Sequence, residues 1–132
     1  MENLGKLILR LSVGGLMLFH GVQKLLDGIG GVKFLIVKTG LPEMLSYGVY
    51  LGELIAPLLL LLGTYTRVSG LLIALTMLVS IPAAHPEGIF HLNEYGGLGI
   101  ELNALYLFGG LAIMLLGSGK YRLIKQSGFW KE

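Results

Sequence analysis

The sequence predicts an all-α membrane protein, a four-helix transmembrane bundle with a short interfacial helix between the first two spans. Three observations carry this expectation. Of the 132 residues, 54% are hydrophobic and 14% charged, whereas an ordinary soluble domain is about 25% charged, and the mean hydropathy is +0.75. Four apolar stretches, residues 4–26, 44–63, 68–84 and 100–116, approach or meet the roughly 17 to 25 residues that cross a hydrocarbon core at about 1.5 Å per residue. The polar connections between them are short, so the spans take up most of residues 1–132 as one four-span domain.

The first span opens after the short basic flank Met1 to Lys6. No small-residue cleavage pattern follows its apolar run, so a cleaved signal peptide is not expected. Its second half, Phe19-His20-Gly21-Val22-Gln23-Lys24-Leu25, holds ionisable groups where they are costly, about 2.5 to 3.5 kcal/mol at a bilayer centre. His20, Gln23 and Lys24 stand at i, i+3 and i+4 and share one helix face. Two assignments suit this trio: Lys24 snorkels to the headgroups while His20 packs between helices, or the three line a site.

Gly28, Gly30 and Gly31 then break the helix. Residues 32–38 are too few to cross, and Lys33 and Lys38 place that piece at headgroup level as an interfacial helix. Pro42 suits the first turn of the second span. Within that span Glu53 lies among Leu51, Gly52, Leu54 and Ile55, too deep to snorkel, so it must be protonated or paired with a cation. Lys24 and a protonated His20 are the candidate cations. Either a structural ion pair or a functional site results, and buried pairs are weak devices for stability. Pro57 cannot donate to the Glu53 carbonyl and can kink the helix there.

Residues 64–67 leave room only for a tight helical hairpin. Pro82 and Pro86 end the third span, residues 87–99 form a glycine-rich polar loop or re-entrant segment, and the fourth span follows. Both termini are expected in the cytoplasm, because that orientation places seven of the ten Lys and Arg residues inside, namely Lys6, Arg10, Arg67, Lys120, Arg122, Lys125 and Lys131. Lys24, Lys33 and Lys38 are then outside.

Composition also excludes several kinds of chemistry. The chain has no cysteine, hence no disulfide, thiolate metal site or dithiol relay of its own. The net charge of +2 is spread too thinly for a nucleic-acid footprint. His20, Glu53, His85, His91 and Glu101 are metal-ligand types, but no HExxH or ExxH pair occurs, so no metal site is expected. Haem ligation would require His20 and His85 at one depth on facing helices. Glycines such as Gly14, Gly15, Gly70, Gly109 and Gly110 are expected to pack helices closely. Most tyrosines suit an interfacial belt, with Tyr50 and Tyr106 as candidates to face a pocket.

The pattern His20-Gly21-x-x-Lys24-Leu25, then Gly52-Glu53-x-x-x-Pro57, then Leu62-Gly63-x-x-x-Arg67, with Gly88-Ile89-Phe90, Gly97 and Glu101 before the last span, resembles the DoxX family of small four-span membrane proteins. The resemblance implies a quinone-linked role beside redox enzymes and carries over His20, Lys24, Glu53, Arg67 and Glu101 as the family's polar positions. The stretch Gly117-Ser118-Gly119-Lys120-Tyr121 lacks the aspartate often found after the family's fourth span.

The expected site is therefore a polar pocket in the outer half of the bundle, with His20, Gln23, Lys24, Glu53, His85 and Glu101 as ligand-binding residues and Pro57 and Arg67 as structural ones. In this scheme Glu53 and Glu101 share protons across His20, and Lys24 stands at the mouth. The expected ligand is a quinone or quinol, whose carbonyls need hydrogen-bond donors and a proton route. Candidate partners are the lipid bilayer of the cell membrane, a redox partner protein and a second copy of the chain. The alternative is a non-enzymatic scaffold or lipid-binding protein that docks a redox or detoxifying enzyme. Whether the chain is itself catalytic stays open. Proton-coupled transport is disfavoured because no inverted repeat or matched pair of broken helices is present.

Overall fold

The computed structural model describes residues 1–132, and every regular element in it is helical. Helix α1 (Glu2–Asp27) runs from the end of the bundle that carries both termini to the opposite end. There α2 (Gly30–Lys38) forms the short extra helix expected between the first two spans. Helix α3 (Glu43–Leu62) returns, α4 (Thr66–Ala84) goes back, and α5 (Glu101–Leu116) completes an up-down-up-down bundle. Three of these, α1, α3 and α4, are long and apolar enough to cross a membrane. At 16 residues α5 is shorter, and short spans are accommodated by bilayer thinning and snorkelling flanks.

Helix α3 is not uniform. It begins as a 3-10 turn at Glu43–Tyr47, passes through a π-helical segment at Leu51–Ile55 and becomes α-helical over Ala56–Leu62. The Ala56 N–H reaches back five residues to the Leu51 carbonyl. Pro57, the next residue, has no N–H to give Glu53, so the ladder is already interrupted where the π-turn lies. Helix α4 includes Pro82 and ends at Ala84, where the expected span 68–84 ends, and His85 closes it with an N–H to the Ile81 carbonyl.

Lipid tails are as apolar as leucine, so close backbone approach does much of the work of helix association. In the tightest pairing a Cβ on Gly70 of α4 would lie 2.5 Å from the Gly110 carbonyl of α5, and one on Gly110 would lie 2.6 Å from the Gly70 carbonyl. Around this contact Val13, Met17, Ala56, Leu60, Ile73, Met77, Tyr106 and Ile113 form a core drawn from all four long helices. Gly15, by contrast, faces open space.

Arginines close the terminal end of the bundle. Arg10 is buried to 1% exposure and donates to the carbonyls of Leu60 (3.0 Å), Ser118 (2.8 Å) and Tyr121 (2.6 Å). One side chain thereby satisfies the last turn of α3 and fastens the chain after α5. Arg67 donates to Met114 (2.7 Å) and Leu115 (2.6 Å), carbonyls in the last turn of α5, and stacks on Phe129 at 4.2 Å. The carboxyl-terminal segment covers the α3–α4 turn: Leu123 and Ile124 donate to the Leu62 carbonyl, and Tyr65 donates to Lys131.

Gly70→Val is expected to lower the melting temperature of the detergent-solubilised protein, at about 1–3 kcal/mol for forced overpacking, whereas Gly15→Ala leaves it unchanged. Arg10→Met should be more damaging than Lys6→Met, since it takes the donor from the Ser118 and Tyr121 carbonyls and leaves the Leu60 carbonyl with only the Gly63 N–H, at about 1–3 kcal/mol for each group that stays buried and unpaired. Thermal unfolding followed by circular dichroism checks both.

Candidate ligand site at the Lys24–Glu53 pair

Glu53 lies in the π-helical segment of α3 at 6% exposure, and its carboxylate is paired with the ammonium of Lys24 on α1. The meeting follows from two glycines. Gly21, one turn before Lys24, lies against the Glu53 backbone so closely that a Cβ there would overlap the Glu53 carbonyl and stand 3.0 Å from the Leu54 Cα. On the other flank, a Cβ on Gly52 would collide with the Thr76 side chain of α4. Helix α3 is thus gripped on both sides at the residue that carries the acid, and a side chain one turn above Gly21 reaches it. The His20-Gly21-x-x-Lys24 and Gly52-Glu53-x-x-x-Pro57 patterns are two halves of this one contact.

The pair separates two cavities. The larger, about 320 Å³, is bounded by α2, α3 and α4 and lined mainly by apolar side chains, including Ile36, Val49, Leu75 and Val79, with Ser46, Thr76 and Ser80 as polar exceptions. The smaller, about 130 Å³, lies among α1, α4 and α5 and is lined by His20, Ser80, Asn103 and Tyr106 with Met17, Met77 and Leu102. Lys24, Glu53 and Ser80 border both. Helix α2 forms one wall of the large cavity, with Ile36 buried; Lys33 fastens it to the start of α3 through Glu43 at 3.9 Å and the Tyr47 ring at 4.8 Å.

Of the residues expected at the site, His20, Lys24 and Glu53 come together, and three do not. Gln23 is exposed and bonded to Asp27, one turn further along α1; sharing a broad helix face with Lys24 does not bring it to the same neighbour. His85 lies past the end of α4 and holds Glu87 at 3.0 Å. That contact, after Glu87's own backbone N–H, keeps the Glu87 carboxyl below its usual range. Glu101 is exposed in the first turn of α5 and lines neither cavity, so it forms no unit with Glu53, whose partner is Lys24. A carboxylate in a helix's first turn compensates the exposed N–H groups there. Pro57 is buried directly behind the π-turn, and Arg67 is at the terminal end, as structural roles require.

The sequence reading missed Ser80 and Asn103, whose side chains are joined by a 2.8 Å hydrogen bond, and the burial of Arg10, which it counted as a flanking cation. An asparagine inside an apolar span was the available signal for the first. For the second the sequence held no local signal, because the carbonyls that bury Arg10 are distant in the chain.

A four-helix membrane bundle whose first two spans are tied by a part-buried Lys–Glu pair is the class that fold and site define. The chain belongs to the DoxX family: the DoxX family model matches residues 5–86, which run from the first turns of α1 past the end of α4. It is also 30% identical over 116 residues to a Bacillus subtilis (strain 168) protein named "Putative oxidoreductase CatD", covering 88% of this chain and 81% of that one. No solved structure matches the chain significantly.

Removing one partner of a buried pair strands the other charge at about 3–5 kcal/mol when burial is complete, and less here because Lys24 is 26% exposed. Lys24→Met and Glu53→Gln should therefore each lower thermal stability, and the double variant should lose less than the two single losses added. A double-mutant cycle on melting temperatures measures this coupling.

Proposed function

We propose that the protein is a quinone-linked membrane oxidoreductase component that receives the polar head of a quinone or quinol at the Lys24–Glu53 pair. The observation that carries this is an apolar cavity of about 320 Å³ bordered by a part-buried cation and a buried anion. That volume is within the roughly 300–1,000 Å³ of small-molecule sites, which combine an apolar lining with a few placed polar groups. The family membership and the relative's name support the oxidoreductase part.

The residues present suit such a ligand. The Lys24 ammonium is a donor for a ring carbonyl, Ser80 accepts from Asn103 and so keeps its own hydroxyl hydrogen to donate, and Glu53 can accept a proton from a ring hydroxyl. The apolar remainder of the lining suits a ring and the start of a hydrocarbon tail. A quinone supplies the redox chemistry, taking up two electrons and two protons as it becomes quinol. A chain without cysteine has no thiol to deliver those electrons, and a redox partner protein is the source we assign. Lys24 and Glu53 hold and exchange protons at the ligand's polar head and exclude bulk water from it. In the cell membrane the termini face the cytoplasm, which puts the cavities in the outer half of the bilayer.

Purified protein in lipid nanodiscs is expected to retain decylubiquinone, with Glu53→Gln and Lys24→Met each weakening retention at least tenfold. Ala84→Phe, at the rim of the large cavity, should also weaken it while leaving the bundle folded. Equal retention in all four proteins would overturn the assignment. A co-purified lipid identified by mass spectrometry in place of a quinone would move it to the lipid-binding alternative. For orientation, a cysteine placed at Lys125 should resist an impermeant thiol reagent in intact cells and react after lysis.

A further inference from the structure

The small cavity has a composition unlike the large one, and its polar groups have unmet hydrogen-bonding capacity. Lys24 holds one carboxylate oxygen of Glu53, Oε2, and no protein group bonds the other. The Tyr106 hydroxyl and the His20 ring also border this space without a protein hydrogen bond, although His20 meets the Tyr106 ring edge-on at 6.0 Å. Asn103 and Ser80 are bonded to each other and keep further donor and acceptor capacity. Buried polar groups are satisfied by protein or by ordered water. A space of about 130 Å³ with several polar partners is large enough to hold water.

His20 is the lining residue that also reaches the outside of the bundle. Its side chain borders the space and is exposed on α1, seven residues, or about 10 Å, from the helix end at Asp27. Glu53 is therefore reached from two sides, through an apolar cavity and through a polar one. A ligand filling the apolar side would cover the carboxylate there, so proton exchange with the outside would need the other side.

We propose that the small cavity is a water-filled proton path that leads from Glu53 past Tyr106, Asn103 and Ser80 to His20 on α1, on the other side of the Lys24–Glu53 pair from the cavity that takes the ligand, with Ser80 bordering both. The titratable and charged groups facing the path are His20 and Lys24 from α1, Glu53 from α3 and Tyr106 from α5; α4 contributes only the neutral Ser80 and Met77. His20 is the exchanger, because an imidazole can gain and lose a proton near neutral pH. The path rests on the ligand assignment only for its purpose, since access of protons to Glu53 can be measured without ligand.

Infrared spectroscopy of the full chain in nanodiscs after a drop in pH tests the path. The protonated-carboxyl band of Glu53 is identified by its loss in Glu53→Gln. His20→Phe and the more conservative Tyr106→Phe are expected to slow the appearance of that band at least tenfold, with melting temperature recorded to confirm folding, while Ala84→Phe leaves the rate unchanged. Wild-type rates in both His20→Phe and Tyr106→Phe, or slowing confined to Ala84→Phe, would overturn the proposal. Slow protonation in the two path variants, together with a wild-type protein that retains no decylubiquinone, would uphold the path and reject the quinone assignment.

Discussion

A carboxylate placed inside an apolar bundle needs a cation at hand, and most of the unusual local structure in this protein is arranged around that requirement. Glu53 cannot extend to bulk water from the middle of α3, so Lys24 comes to it. The approach is possible because Gly21 removes the side chain that would hold α1 and α3 apart. The π-turn at Leu51–Ile55 and the missing N–H of Pro57 alter the backbone at the same place. Each departure from regular helix has little value alone, and π-turns often mark functional sites. Taken together they position one charge pair between two cavities of different chemical character.

The opposite end of the bundle uses charge for another purpose. Arg10 and Arg67 find no carboxylate there; their partners are backbone carbonyls near the ends of α3 and α5. Helix ends leave carbonyls without intrahelical partners, and an arginine's several fixed donors can serve more than one at a time. This end is consequently cross-linked by hydrogen bonds, with the carboxyl-terminal segment folded over the α3–α4 turn. The cavities lie toward the end where α2 supplies a wall of the larger one. One end is fastened, and the other is hollow.

This division gives the family resemblance a physical content. The recurrent Gly and charged positions of the first two spans are the parts of a single helix contact, and Leu62-Gly63-x-x-x-Arg67 belongs to the fastened end. Gly63 turns the chain in the left-handed region at φ +79°, pressed against Arg10 and Arg122, and Arg67 starts the next helix. A quinone-type ligand at the hollow end would meet a donor and an acceptor held in register by the glycine contact, with little reorganisation on binding.

The number of helices, their order, the short helix after the first span and the ionisable positions of α1 and α3 were legible in the sequence, because hydrophobic runs, glycine breaks and the cost of buried charge are local properties. Pairing of Glu53 with Lys24 was foreseeable for the same reason, since a deep carboxylate must find a cation and few are in range. Which residues share a cavity was decided by tertiary structure alone. Gln23 and Lys24 are neighbours in sequence, yet one bonds Asp27 on the surface and the other Glu53 in the interior, a difference set by where α3 packs on α1. Glu101 and Asn103 begin the same helix, and only Asn103 faces the small cavity, because the rotation of α5 follows from the Gly70–Gly110 contact with α4. Arg10 illustrates the limit most directly: its sequence context is that of a flanking cation, and its burial depends on carbonyls 50 and 108 residues away.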